Sequence, residues 1–234
     1  MNPPKVVSRE EWLEARTRLL AKEREFTHLR DALSQERREL PWVRVEKPYV
    51  FQGPQGEETL SQLFAGRSQL VVYHFMFAPE WDAGCKNCSF WADSFNGITA
   101  HLEQRDVSFV AISRAPLAKL QAYERRMGWS FKWLSSSESD FNFDFGVSFK
   151  PEDLAQQRAT YNYGPLKHSI TDMQGISTFA RDSDGALFHA YSCYARGIDM
   201  MNTAYQYLDL VPKGRDEQGL PYSMGWVKRR DEYA

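Results

Sequence analysis

This sequence lacks an excess of positive charge, a long apolar run and a dense set of cysteines. Its 29 basic residues are offset by 31 acidic ones, leaving a formal net charge of −2. A general nucleic-acid binder needs spare Lys and Arg to neutralise phosphates, so no nucleic-acid partner is expected. No apolar run reaches the roughly 18 residues of a spanning helix, and no membrane partner is expected. The opening segment MNPPKVVSREEW has no apolar core of a secretory signal, so a cytoplasmic location is the expectation. Three cysteines in 234 residues are too few, and odd in number, for a disulfide framework. In a reducing compartment, cysteines close in sequence point to chemistry or metal binding before a structural staple. Internal repeats and low-complexity tracts are also missing.

What is present is an ordinary globular composition with many aromatic residues. Hydrophobic residues make up 42% and charged ones 26%, which excludes a mostly disordered chain. The length allows a sizeable core and suggests one domain, alone or with an appendage. The 7 Trp, 11 Tyr and 15 Phe fill a core or wall a closed apolar site, and composition does not choose between these.

Residues 8–39 predict a long helix. Ser8 and Glu11 have the spacing of a capping box. Trp12, Ala15, Leu19, Phe26, Leu29 and Leu33 follow as a heptad stripe broken by Lys22, with charge around the rest. So narrow a seam packs on its own domain or on a second copy of the chain, which makes a homodimer through this helix a candidate. Pro41 ends the helix. The expected division is a helical extension, 1–41, and a domain, 42–234.

Beyond it, residues 42–51 alternate like a strand and carry Pro48, so an edge element is predicted. A short helix follows over 59–65. LVVYHFMF, 70–77, is a continuous apolar run with one His, the pattern of a buried, parallel strand. After the loop PEWDAG comes an amphipathic helix with Trp91, Phe95, Ile98 and Leu102 on one face. A strand over 107–113 and a helix over 116–127 complete a βαβ pattern with a parallel sheet. The stretch 129–174 is irregular. Residues 176–192 read as a hairpin around Asp184-Gly185, and 195–208 as a further helix. The polar tail holds Trp226 and is expected to pack back.

The chemistry-bearing feature is Cys85-Lys86-Asn87-Cys88, placed after a buried strand and at the start of a helix. Unpaired backbone N–H groups there stabilise a thiolate on Cys85, and Lys86 can add to this. Cys88, one turn on, can close a disulfide with it. Strand, Cys-x-x-Cys and helix together give the redox reading, with Cys85 as nucleophile, Cys88 as resolving thiol and no bound organic cofactor. Two alternatives stay open. The pair could be part of a copper or zinc site, although structural zinc takes four ligands and no second pair has finger spacing. The chain could also be an interaction module working through the 8–39 helix.

Four segments, RRELPWVRVEKPYVF, VVYHFMFAPEWDAGCKNCSFWAD, FARDSDGALFHAYSCYARG and MGWVKRRDEY, resemble the bacterial thioredoxin-like family catalogued as domain-of-unknown-function family 899. Its members are labelled predicted dithiol-disulfide oxidoreductases. The resemblance implies an α/β thioredoxin-like fold, a central mixed sheet flanked by helices, with an N-terminal helical extension. It also implies a thiol or disulfide substrate without naming one. Thioredoxins carry Trp before the first cysteine and Gly-Pro between the pair. Here Gly84 precedes and Lys86-Asn87 intervene. Where thioredoxins keep a Pro ahead of the hairpin, this chain reads Gly175-Ile176-Ser177-Thr178. Peroxiredoxins place Thr or Ser three residues before the attacking cysteine, a place held here by Asp82 and Cys85, so a standard peroxidase site is not expected.

Three further residues need placing. His189 and Cys193 should both approach the cysteine loop from the hairpin, His189 as a half-buried strand histidine or as a metal ligand, Cys193 as a small buried thiol. His74 is expected to be a hydrogen-bonded core histidine, with a proton-transfer role open because of its closeness to the loop.

Overall fold

The computed structural model describes residues 5–233, and the chain divides between Pro41 and Trp42 into two compact units. The first contains α1, Arg9–Arg38. The Ser8 side chain accepts from the Glu11 amide while the Glu11 carboxylate accepts from the Ser8 amide, closing the expected capping box. Glu10 and Glu11 in the first turn and Arg37 and Arg38 in the last complement the helix dipole. No residue of α1 is buried. Its apolar stripe is open to solvent, from 45% exposure at Trp12 to 69% at Leu29.

The second unit is a mixed α/β structure. In chain order it holds β1 (Val43–Arg44), β2 (Val50–Gly53), β3 (Gly56–Thr59), α2 (Leu60–Leu63), β4 (Gln69–His74), α3 (Lys86–Ala92), α4 (Ile98–Glu103), β5 (Val107–Ser113) and α5 (Leu117–Met127). Then follow β6 (Lys132–Ser135), α6 (Phe141–Asp144), α7 (Pro151–Ala155), β7 (Thr160–Tyr161), β8 (Gly164–Pro165), β9 (Gly175–Arg181), β10 (Leu187–Tyr194) and α8 (Thr203–Leu208). The main sheet has the order β1-β10-β9-β4-β5-β6-β2-β3. β4, β5 and β6 run parallel, joined by helical crossovers. β9 lies antiparallel against β4, and β10 antiparallel against β9. Parallel strands joined through helices, with an antiparallel hairpin on the far side of the first, are the thioredoxin-like connectivity.

β4 is central because, after the exposed Gln69, its residues are apolar up to a buried, hydrogen-bonded His74. Its side chains alternate between two apolar layers. Leu70 and Val72 enter a cluster with Ile112, Phe141 and Phe179, while Tyr73 enters another with Phe95, Phe109 and Cys88. Gly185, at φ 86°, and the Asp182 carboxylate, which accepts the amides of Asp184 and Ala186, turn the chain between β9 and β10.

Three elements differ from the sequence reading. Residues 42–51 do not form one edge strand. Val43–Arg44 pairs with β10 at one edge, whereas β2 pairs with β6 and β3 near the other. The expected amphipathic helix after the cysteines is interrupted, since Gly97 takes φ 87° between α3 and α4. Between 195 and 208, a 3-10 segment, Ala195–Met201, precedes α8. Among the described residues no helix is long and apolar enough to cross a membrane.

Candidate active site

The end of β4 delivers the chain into a tightly packed loop. Phe75 and Phe77 are buried, and the amide of Cys85 donates to the Met76 carbonyl at 3.0 Å. Gly84 is required here by close approach. A Cβ at this position would stand 2.7 Å from the Phe75 ring and 3.0 Å from the Tyr123 ring. The aromatic packing that tolerates only hydrogen at residue 84 also excludes the Trp that thioredoxins carry at this place.

Cys85 caps α3 and is half-buried, whereas Cys88 lies in the first turn and is fully buried. Both are free thiols. The Cys85 thiol is lowered to about 7. The Cys88 hydrogen bond is the largest cause; burial opposes it, and the amides of Cys88 and Asn87 and the charge of Arg229 assist it. Cys88 is pushed the other way, chiefly by burial and then by its hydrogen bond to Cys85. One thiol of the pair therefore ionises near neutral pH while the other keeps its proton. Cys88 Sγ accepts from the Met76 amide at 3.4 Å and lies 3.5 Å from Gln174 Oε1, to which it donates.

Gln174 directly precedes β9, and the Tyr73 hydroxyl donates to the same Oε1 at 3.1 Å. Two residues earlier, Asp172 is held in a bidentate pair by Arg114, at 2.8 and 2.6 Å, and accepts from Ser148 at 2.7 Å. Arg114 follows β5 directly, so this buried pair ties the approach to β9 to the end of β5 and brings Gln174 over Cys88. The Tyr161 hydroxyl donates to the Gln174 carbonyl at 2.6 Å.

The C-terminal tail completes the surroundings. Val227 is buried, and Trp226 meets Phe90 edge to face at 5.4 Å. Arg229 then donates to the Gly84 carbonyl at 2.9 Å and to the Tyr123 hydroxyl at 2.8 Å. The cation that acts on Cys85 is thus Arg229, distant in sequence, where the sequence pointed to Lys86. Sequence reasoning also missed Gln174 and Tyr73. Gln174 had only an indirect signal, since it lies one residue before the stretch Gly175–Thr178 where the Pro of thioredoxins is missing. Arg229 had one in the MGWVKRRDEY segment. Tyr73 had one in the VVYHFMFAPEWDAGCKNCSFWAD segment.

The histidines form a separate network on the opposite face of the sheet. His74, next to Tyr73, is fully buried, and its Nε2 lies 2.8 Å from Ser177 Oγ. Ser177 Oγ is 2.8 Å from Ser192 Oγ, which is 2.7 Å from His189 Nε2. His74 stacks on Phe141 and Phe145, and His189 meets Phe145 and Phe179. Burial, assisted by His189, lowers His74 to about 3, and burial lowers His189 as well.

A register shift explains why His189 is not beside the cysteines. His189 opposes Phe179 and Tyr191 opposes Thr178, so β10 has one extra residue, Ala190. Without it, His189 and Cys193 would share a face. With it, His189 faces Ser192 and Phe179, while Cys193 opposes Ile176 in the cluster that contains Cys88. The structure therefore does not bring His189 together with Cys85 and Cys88. Among the described residues no group of three or more His, Cys, Asp or Glu could hold an ion.

No curated protein sequence matches the chain. Solved structures with a similar fold include the peroxidoxin BcpB from Mycobacterium tuberculosis, at 16% identity and TM-score 0.46, over 72% of this chain and 97% of that one. Peroxiredoxin Q from Xanthomonas campestris matches at 16% identity and TM-score 0.44, over 72% and 94%. A protein assigned as the thiol:disulfide interchange protein DsbE from Chlorobium tepidum matches at 13% identity and TM-score 0.43, over 72% and 94%. None of these likenesses bears on the chemistry. A family profile, by contrast, spans residues 1–233, and the chain belongs to that family, the bacterial proteins of unknown function designated DUF899.

Proposed function

We propose that the protein is a thiol–disulfide oxidoreductase whose working residues are Cys85 and Cys88. The reading rests on one observation. A half-buried thiol lowered to about 7 sits beside a fully buried thiol that keeps its proton. In the reductive direction, the Cys85 thiolate attacks a substrate disulfide, an S–S bond breaks, and one substrate sulfur leaves as thiolate. Cys88 then loses its proton and attacks the Cys85 sulfur. The second substrate sulfur leaves, and a Cys85–Cys88 disulfide remains for cellular thiols to reduce. The reverse sequence oxidises a dithiol. Gln174 accepts from the Cys88 thiol at 3.5 Å while Cys85 is protonated, and once Cys85 ionises that single proton turns to the Cys85 thiolate. Arg229 favours the thiolate through its charge. Residues 42–234 form the redox domain in this reading and residues 1–41 a helical extension, and the thiol chemistry suits the cytoplasm.

A redox titration against glutathione or dithiothreitol, followed by thiol counting, tests the proposal. A two-electron transition on the order of −200 to −300 mV, the range of working dithiols, is expected. It should survive Cys193→Ser and vanish in Cys88→Ser. Absence of any transition in the wild type would overturn the redox reading. Its loss in Cys193→Ser would transfer the resolving role to Cys193.

A further inference from the structure

The stripe on α1 has a stricter pattern than an amphipathic helix needs. With Trp12 at heptad position a, Leu19, Phe26 and Leu33 fall at a, and Ala15, Lys22 and Leu29 at d. Trp12, Leu19, Phe26, Leu29 and Leu33 are between 45% and 69% exposed. A helix of 30 residues is about 45 Å long, so these residues form an extended, exposed apolar edge on α1.

The flanking charges identify the occupant. Position g is held by Glu11, Arg18 and Glu25, and position e by Arg16, Glu23 and Arg30. In a parallel, in-register pair of helices, each g residue meets the e residue five positions on in the other chain. Glu11 then meets Arg16 of the partner subunit, Arg18 meets Glu23 of the partner subunit, and Glu25 meets Arg30 of the partner subunit. All three contacts are attractive, and each occurs twice. Antiparallel pairing with the seams overlapped sets e against e instead. Arg16 would then oppose Arg30, and Glu23 would oppose its own copy, which repels. Within one chain Arg16 already holds Glu23 at 2.8 Å, and in the pair these groups exchange partners.

We infer that α1 is a dimerisation element that pairs with α1 of a second copy of this chain as a parallel, in-register coiled coil. The inference is independent of the redox chemistry. Lys22 is the one charged residue inside the apolar stripe. In the parallel arrangement its stem lies along the seam and its ammonium reaches toward Glu23 of the partner subunit. A single polar seam position of this kind costs stability and enforces register.

The test is a charge exchange on the full chain, read by sedimentation. Glu11 is left in place because it closes the capping box. One variant reverses position g, with Arg18→Glu and Glu25→Arg. The other reverses position e, with Glu23→Arg and Arg30→Glu. The wild type should sediment at twice the monomer mass, each variant alone should be monomeric, and an equimolar mixture of the two should regain the dimer. Recovery on mixing also shows that neither variant failed to fold. A wild type monomeric at every concentration, variants that still dimerise alone, or a mixture that stays monomeric would each overturn the inference.

Discussion

Tyr73 and His74 are adjacent on β4, yet each opens a different polar network on a different face of the sheet. On the Tyr73 side, Cys88, the amides at the start of α3 and the Arg229 guanidinium act on the Cys85 thiol, lowered to about 7, and Gln174 holds Cys88 and Tyr73. On the His74 side, two imidazoles and two hydroxyls hydrogen-bond to one another among Phe141, Phe145 and Phe179. Both networks contain titratable groups, and both are packed against aromatic rings. They differ in what is offered to a charge. The cysteine side presents N–H donors and a cation, which favour an anion. The histidine side presents hydroxyls and ring faces, and burial keeps its imidazoles neutral. Ionisable residue types are thus not enough to make a reactive centre.

The largest effect should come from the anchor of the cysteine side. Asp172 is 3% exposed at its side chain and depends on Arg114. In Arg114→Ala a buried carboxylate loses its partner, at a cost of about 3–5 kcal/mol by urea unfolding. Unchanged stability would mean that the pair does not hold the approach to β9.

Acid should act on the other face. His74 binds a proton at about 3 in the folded chain, against 6.5 ordinarily. Below 6.5 the unfolded state binds more protons than the folded one. The stability contributed by keeping this ring neutral is complete above pH 6.5 and is lost as pH falls toward 3, by up to about 1.4 kcal/mol per pH unit. His74→Gln should flatten this limb of the unfolding curve. An equally steep limb in the variant would remove His74 from the neutral network.

Alkylation compares the two thiols directly. The Cys85 rate should reach half its maximum near pH 7, with Cys88 at least about tenfold slower at that pH. Equal rates by peptide mapping would erase the asymmetry on which the redox reading depends. The smallest effect is that of the distant cation. Arg229→Gln should lower the Cys85 rate at neutral pH by about two- to threefold and move its midpoint upward, while Arg229→Lys restores most of it. A midpoint unmoved by Arg229→Gln would leave the helix amides and Cys88 as the only stabilising groups.

Much of this was legible because it is local. The capping box at Ser8 and Glu11, the buried run that became β4, the turn at Asp184-Gly185 and the placement of Cys85 at a helix start are all written within a few consecutive residues. Their physical causes, backbone capping, burial of a continuous apolar run and left-handed glycine, act over the same few residues. Position 174 was half legible. The missing Pro could be seen over 175–178, but not that the amide side chain just before it would contact Cys88.

By itself, the sequence determined the helix α1, the strand–helix alternation from β4 to α5, the hairpin of β9 and β10, and a pair of cysteines at a helix start where backbone N–H groups favour a thiolate. Tertiary structure decided the rest, because each remaining feature depends on partners far apart in the chain. Pro48 separates two short strands that serve opposite sides of one sheet, which only the final strand order reveals. The extra residue at Ala190 sends His189 to the face away from the cysteines, because side chains alternate along a strand and one inserted residue reverses all that precede it. Arg229 reaches Gly84 across 145 positions of sequence, and its effect on Cys85 is a matter of distance in space, which neighbouring letters do not encode.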